Sequence, residues 1–459
     1  MRITLENIFD LSTARIFSPD KYIPAKAVTI DSRQVCEGSI FVAIKGKRFD
    51  GHNFVNVAVK NGANAILINK RKLKEFDKIN IPIITVNNTV KAYGELASMW
   101  RKKLNAKVIS ISGSNGKTTT KEMIATLLEE KFKVYKTLSN NNNQIGVPLT
   151  IFSTDSKCEV LVLEHGTNHF GEIAYTAKIA RPDIALLTNI GDSHIEYLND
   201  REGVLEEKLS LLDEAKANNG TAFLNIDDPL LRSVKNQFMN KITFGFKYNP
   251  DIKAKILGFT NSGNPEILIT GLRKNIKTVP LVQGKSGSAN YLAAVSVAIK
   301  MGLTKKQILD GTAKIKSIKG RLNIINYGNL TLIDDTYNSN PQSIREAFEV
   351  LKRNKQHESK IAVLGDMFEL GSKGVEHHKE LGIVVKKSRV NAVFTIGKLM
   401  KNLNDELLDS KIYHEHFNTR KSLKNFLNKI YLDNCVILVK GSRGMKMEEF
   451  AEIIIKRAA

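Results

Sequence analysis

The chain has 459 residues, 42% of them apolar, with 69 Lys+Arg against 47 Asp+Glu and a net charge of +22. That apolar content is enough to fill several cores and excludes wholesale disorder. Three scattered cysteines make no metal spacing or disulfide framework, the first residues lack a secretory apolar core, and no stretch nears the roughly 20 apolar residues of a membrane span, so a cytoplasmic protein without a membrane span is expected.

From residue 1 to 84, the short apolar runs "AVTIDSR", "SIFVAIKG" and "NAILIN" are separated by polar turns and read as strands. "FVNVAVKNGA" between them has helical spacing and stops at Gly62. These elements predict a small α/β domain. From 85 to 317, strand-like and helix-like stretches alternate: "KVISISG" before "TKEMIATLLEEKF", "VLVLEHG" before "GEIAYTAKIA", "DIALLTNIG" before "REGVLEEKLSLLDEA". Such alternation predicts a parallel, doubly wound sheet covered on both faces. Between about 240 and 283, "KITFGF" and "EILITGL" predict a β-rich insertion closed by the helix "SANYLAAVSVAIKMG". From 318 to 459 the alternation returns in "LTLIDDTYNSNPQSIREAFEVL", "KIAVLGDM", "AVFTIG" and "CVILVKGSRGM", each with a polar loop after an apolar strand. Loops at strand C-termini carry the ligand chemistry of open α/β sheets. The fold expected is therefore α/β in three domains: 1–84, 85–317 with a P-loop, and a Rossmann-like 318–459.

The stretch "VISISGSNGKTTTKEM" joins a strand to a helix through Gly113, Ser114, Asn115, Gly116, Lys117, Thr118 and Thr119. Glycines let backbone N–H groups turn around a phosphate, and the helix N-terminus adds its dipole. Lys117 suits the outer phosphates of a nucleotide and the Thr118 hydroxyl suits magnesium. The strict G-x-x-x-x-G-K-[ST] pattern is not met, since Ile111 stands five before Gly116; the alternative is a glycine turn capped by Thr118. Glu164 ends the strand "VLVL" and can hold magnesium, or be a surface glutamate. His194 follows "DIALLTNIGDS" and is either a ligand or a structural histidine. Lys208 on the next helix is either functional or solvated. All three come from strands or helices of one predicted sheet, which would gather them at one edge. The basic residues lie dispersed in "NKRKLKEFDKIN", "KKLNAK" and "VKKSRV" without interleaved aromatics, a compositional pattern that argues against a nucleic-acid partner.

The motifs "GSNGKTTTKEM", "NNNNQIGVPLT", "LEHGTNHFGEI", "LTNIGDSHIE", "GRLNI", "LIDDTYNSNP", "VLGDMFELG" and "VKGSRGMKME", with "TIDSRQVCEGSIFVAIKGKRFDGHNF" before them, together resemble the Mur ligases over nearly the whole chain. "DDTYNSNP" and "GDMFELG" are most similar to the member that joins D-alanyl-D-alanine to UDP-N-acetylmuramoyl-tripeptide. A folylpolyglutamate synthase would lack the region before the P-loop. The third-residue ligase would carry an Asp-Asn-Pro-Arg-like motif, absent here. A nucleic-acid-binding NTPase would leave "DDTYNSNP" and Arg321 without a purpose.

The resemblance implies ATP and Mg²⁺, an acyl-phosphate intermediate and a monomer. It implies Lys117 and the loop N–H groups on the ATP phosphates, and Thr118 and Glu164 on one magnesium ion. His194 would help with a second ion, and Lys208 matches a position carbamylated in several members. Asn290 matches an asparagine near adenine, although the family often has His-Asn before it where this chain reads "GKSGSAN". Arg321 and Asp335 match residues that reach ATP and its ribose from the last domain. Asn142 and Asn143 would lie near the muramoyl-peptide, and Ser32 and Arg33 would belong to the UDP-binding first domain. Asn338 and Asn340 would contact the dipeptide, or shape the turn before Pro341.

Overall fold

Runs of Val, Ile and Leu bounded by glycine, proline and asparagine become strands, and the strands sort into three sheets. The computed structural model describes residues 1–260 and 263–458. The first sheet holds β1 (Arg15–Phe17), β2 (Ala27–Thr29), β3 (Ser39–Val42), β4 (Ala63–Asn69) and β5 (Ile83–Val86) in the order β1-β5-β4-β3-β2. Only β1 runs antiparallel to its neighbour. The expected division at residue 84 falls inside β5, which pairs throughout with β4.

The central sheet has nine strands: β6 (Lys107–Ser112), β7 (Val134–Lys136), β8 (Val160–Glu164), β9 (Ile184–Leu187), β10 (Thr221–Asn225), β11 (Lys241–Gly245), β12 (Ile252–Phe259), β13 (Pro265–Gly271) and β14 (Lys274–Thr278). Their order is β14-β13-β12-β11-β10-β9-β6-β8-β7. With β6 between β9 and β8, the chain leaves it toward both sides, and a crevice opens above such a switch point. The expected β-rich insertion is corrected. β11 and β12 continue the parallel sheet, and β13 and β14 extend its edge antiparallel. Ile252, Ala254, Ile267, Ile269 and Ile276 supply the reason. They alternate onto one face and share the core under the helix Gly284–Lys300 with Tyr291, Leu292 and Val295.

The third sheet comprises β15 (Asn323–Tyr327), β16 (Leu330–Asp335), β17 (Ser359–Gly365), β18 (Ala392–Ile396), β19 (Tyr413–Phe417) and β20 (Cys435–Lys440), ordered β15-β16-β20-β17-β18-β19. It is parallel except for the β15–β16 hairpin, with a separate apolar core on each face. The helix Thr89–Lys103 packs between the first two sheets. Tyr93, Leu96 and Trp100 belong to one continuous core with Leu67 and Ile84 on one side and Val108 and Leu161 on the other. Among the described residues, no helix is long and apolar enough to cross a membrane.

Candidate functional site

β6 ends at Ser112 and the helix Lys117–Leu128 begins five residues later. Gly113 has φ +143° and Gly116 φ +82°, backbone that L side chains rarely adopt. A Cβ at Gly113 would stand 1.9 Å from Thr188 Oγ1, and one at Gly116 would stand 2.2 Å from Asn290 Oδ1. The loop is pinned from β9: Ser114 N donates to Asn189 O (2.9 Å), Asn115 N to Asn189 Oδ1 (3.0 Å), and Thr188 Oγ1 to Asn115 O (2.6 Å). The helix starts with no side-chain cap, which leaves its first-turn N–H groups open to an anion. Lys117 Nζ curls back onto Gly113 O at 2.7 Å. Enclosure pushes the Lys117 pKa down; the Glu164 charge opposes this and the Arg321 charge adds to it.

Parallel register explains why Glu164 is near the loop, since it pairs with Ile111 across β6 and β8. Its carboxylate is 2% exposed. Oε1 accepts from Asn142 Nδ2 at 2.9 Å, while Oε2 is buried without a hydrogen-bond partner. An anionic oxygen left without a donor in a buried site fits a cation. Among the described residues, no group of three or more His, Cys, Asp or Glu side chains could hold a metal by itself. A cation at Glu164 would therefore draw on Thr118 and on ligand oxygens. Lys208 lies on the helix Arg201–Ala217 and is buried rather than solvated. Burial holds its pKa well below the ordinary lysine value; the neighbouring Lys117 charge adds to this, and Glu207 opposes it.

The third sheet closes the crevice from the opposite side. Asp335 and Lys440 end adjacent strands in register, and Lys440 Nζ donates to Asp335 Oδ2 at 2.6 Å. Arg321 Nη2 donates to Thr118 Oγ1 at 2.9 Å, with its guanidinium 4.1 Å from the Tyr337 ring centroid. Asn340 caps the helix Pro341–Arg353 through Ser343 N (2.8 Å) and donates from Nδ2 to Asn115 Oδ1 (2.8 Å). Lys440 Nζ donates to the Asn338 carbonyl (2.9 Å). His194 has φ +56°, and its Nδ1 lies 2.7 Å from Glu369 Oε2, off the line of an aligned hydrogen bond. The imidazole holds the Glu369 carboxyl below its ordinary range.

These groups line one cleft of about 830 Å³. It brings together Ser114 to Thr119, Asn142, Asn143, Glu164, His194, Asn290, Arg321, Asp335, Asn338 and Asn340. Gly113, Lys208, Ser32 and Arg33 are not in its lining. Gly113 and Lys208 sit behind the wall, whereas Ser32 and Arg33 lie on the first sheet's side, with Arg33 exposed and paired to Asp31 at 2.7 Å. The Asn143 amide also serves the fold, accepting from Ile145 N and Gly146 N at the next helix. Sequence reading missed Lys47, Tyr337, Glu346, Glu369 and Lys440 in the lining. Glu369 lay within the quoted "GDMFELG" and Lys440 at the end of "CVILVK", so position at a strand C-terminus was the available signal.

Residues 24–101 match the family described as Mur ligase family, catalytic domain. Residues 111–298 match Mur ligase middle domain, and 320–443 match Mur ligase, glutamate ligase domain. The chain is 36% identical to the UDP-N-acetylmuramoyl-tripeptide–D-alanyl-D-alanine ligase of Buchnera aphidicola subsp. Baizongia pistaciae, over 95% of this chain and 93% of that one. It superposes on a crystal structure of MurF from Acinetobacter baumannii with a TM-score of 0.88 and 27% identity, covering 99% of each chain. The MurF ligase of Thermotoga maritima in complex with ADP gives a TM-score of 0.83 and 30% identity, over 95% of this chain and 98% of that one.

Proposed function

The chain belongs to the Mur ligase family, and from that premise we propose that it joins D-alanyl-D-alanine to UDP-N-acetylmuramoyl-tripeptide, converting ATP to ADP and phosphate. The product is the pentapeptide precursor of peptidoglycan. The observation that carries this reading is the meeting of Lys117, Glu164 and Arg321 at one uncapped helix N-terminus, with Arg321 supplied by a different sheet.

The substrate carboxylate attacks the γ-phosphate of ATP to form an acyl phosphate. The dipeptide amine then attacks the acyl carbon and expels phosphate. Lys117 and the first-turn N–H groups hold the phosphates from one side, and Arg321 holds them from the other. Fixed donors of this kind stabilise charge as it moves onto the leaving group. Asn290, against Gly116, faces the nucleoside end, and Asp335 is set by Lys440 to take the ribose. Glu164 Oε2 and the Thr118 hydroxyl would hold Mg²⁺, with His194 serving a second ion. Such an ion would neutralise phosphate charge. Lys208, its pKa pushed down by burial, would lose its proton more readily than an exposed lysine, and as the free amine could add CO₂ and release a proton, giving an anionic carbamate. Asn142 and Asn143 face the peptide, Asn338 and Asn340 the dipeptide side, and Ser32 and Arg33 the uridine nucleotide. The enzyme acts in the cytoplasm as a monomer of three units, the first running through the end of β5 at Val86 and the third from 318 to 459.

The test is phosphate release from ATP with the nucleotide tripeptide, with and without D-alanyl-D-alanine. Release that needs both substrates, and that Lys117→Ala abolishes, supports the reading. Release driven by DNA or by a folate overturns it.

A further inference from the structure

The helix Pro341–Arg353 places Gln342 and Glu346 one turn apart on one face, and that face meets the phosphate loop. Asn115 Nδ2 donates to Gln342 Oε1 at 3.2 Å, across 227 residues of sequence. In the other direction, Asn340 Nδ2 donates to Asn115 Oδ1 at 2.8 Å. The Asn115 amide is thus held by both its ends from the third unit, while its backbone is held by Thr188 and Asn189 of the central unit. Gln342 Nε2 in turn donates to Glu346 Oε1 at 3.3 Å. Glu346 lines the cleft beside Ser286, in the stretch where this chain departs from the family's His-Asn. Gln342 Oε1 also stands 2.6 Å from where a Cβ on Gly191 would project, so a side chain there would push the Gln342 amide from its place.

We propose that Gln342, braced by Glu346 and joined to Asn115, is a positioning residue that ties docking of the third unit to the geometry of the phosphate loop. An amide paired in both directions tolerates little displacement. Docking of the third unit therefore adds a second hold, on the Asn115 side chain, to the backbone hold that the central unit supplies. With the clasp formed, water is kept from the acyl phosphate until the amine attacks. Loosening the clasp admits water, which attacks the acyl carbon, regenerates the carboxylate and releases phosphate without an amide bond. Asn340 also caps its helix, so Gln342 is the member that can be removed without uncapping an element.

This inference rests on the ligase reading above, and the experiment separates the two. Phosphate released and amide formed are measured together for the full-length wild type, Gln342→Ala, Asn115→Ala and the double variant. The wild type is expected to release about one phosphate per amide. Gln342→Ala is expected to release about two or more and to form amide roughly tenfold more slowly. Asn115→Ala should do at least as much, and the double variant should fall within about twofold of Asn115→Ala, because that change already removes the Gln342 contact together with the Asn340 one. The ratio does not depend on how much of each variant is folded. A ratio that stays at one in Gln342→Ala, or losses that multiply in the double variant, overturns the clasp. A wild type with no substrate-dependent phosphate release overturns the ligase reading instead.

Discussion

The two junctions of the central sheet are built from opposite chemistry. Toward the first sheet, Tyr93, Leu96 and Trp100 of one helix stitch Leu67 and Ile84 to Val108 and Leu161 in a single apolar core. Toward the third sheet the contact is carried chiefly by polar pairs: Arg321 with Thr118, Asn115 with Asn340 and Gln342, and His194 with Glu369. Apolar burial stabilises without direction at about 25 cal/mol per Å², and parting it exposes that whole area. A polar pair that water can replace contributes only about 0.5–1.5 kcal/mol net. The first junction is therefore expected to hold as one body, and the second to part at the smaller cost.

The largest expected effect lies at the apolar junction. Trp100, 7% exposed, fills the shared core, and Trp100→Ala should cost about 3–5 kcal/mol in a denaturant titration. A variant as stable as the wild type would mean that the core is not shared.

A smaller effect concerns the loop that brings Glu369 to the polar junction. His378 is fully buried; its Nε2 accepts from Met367 N (3.0 Å), so its Nδ1 donates to Gly374 O (2.6 Å). Burial lowers its pKa below the ordinary 6.5. The sign follows: below 6.5 the unfolded chain takes up a proton that the folded chain refuses. This stabilisation is complete above 6.5 and is lost as pH falls, by at most about 1.4 kcal/mol per pH unit. Melts at pH 7 and pH 5.5 should show the slope, and His378→Asn should flatten it. An unchanged slope in that variant assigns the proton elsewhere.

The smallest effect on stability is expected at the polar junction itself. Arg321→Ala should raise the KM for ATP by about tenfold, roughly 1.4 kcal/mol, and leave the melting temperature unchanged. If it melts as early as Trp100→Ala, the two junctions do not differ in kind.

Much of this molecule is local and so was written in the chain's own pattern. The alternation of β-branched runs with helical spacing placed the strands, and two glycines before Lys117 placed the turn into an uncapped helix, because φ constraints and helix N-termini act over a few residues. One local signal was passed over: Lys208 shares a helix face with Val204, Leu211, Leu212 and Ala215, which foretold its burial. Tertiary structure alone decided that β12 to β14 extend the central sheet rather than stand apart, since a strand's alternation names its buried face but not its neighbour. It alone decided that Gln342 meets Asn115 and Glu369 meets His194. These contacts join residues about two hundred positions apart, and they depend on how two separately packed cores dock, which short-range periodicity does not encode.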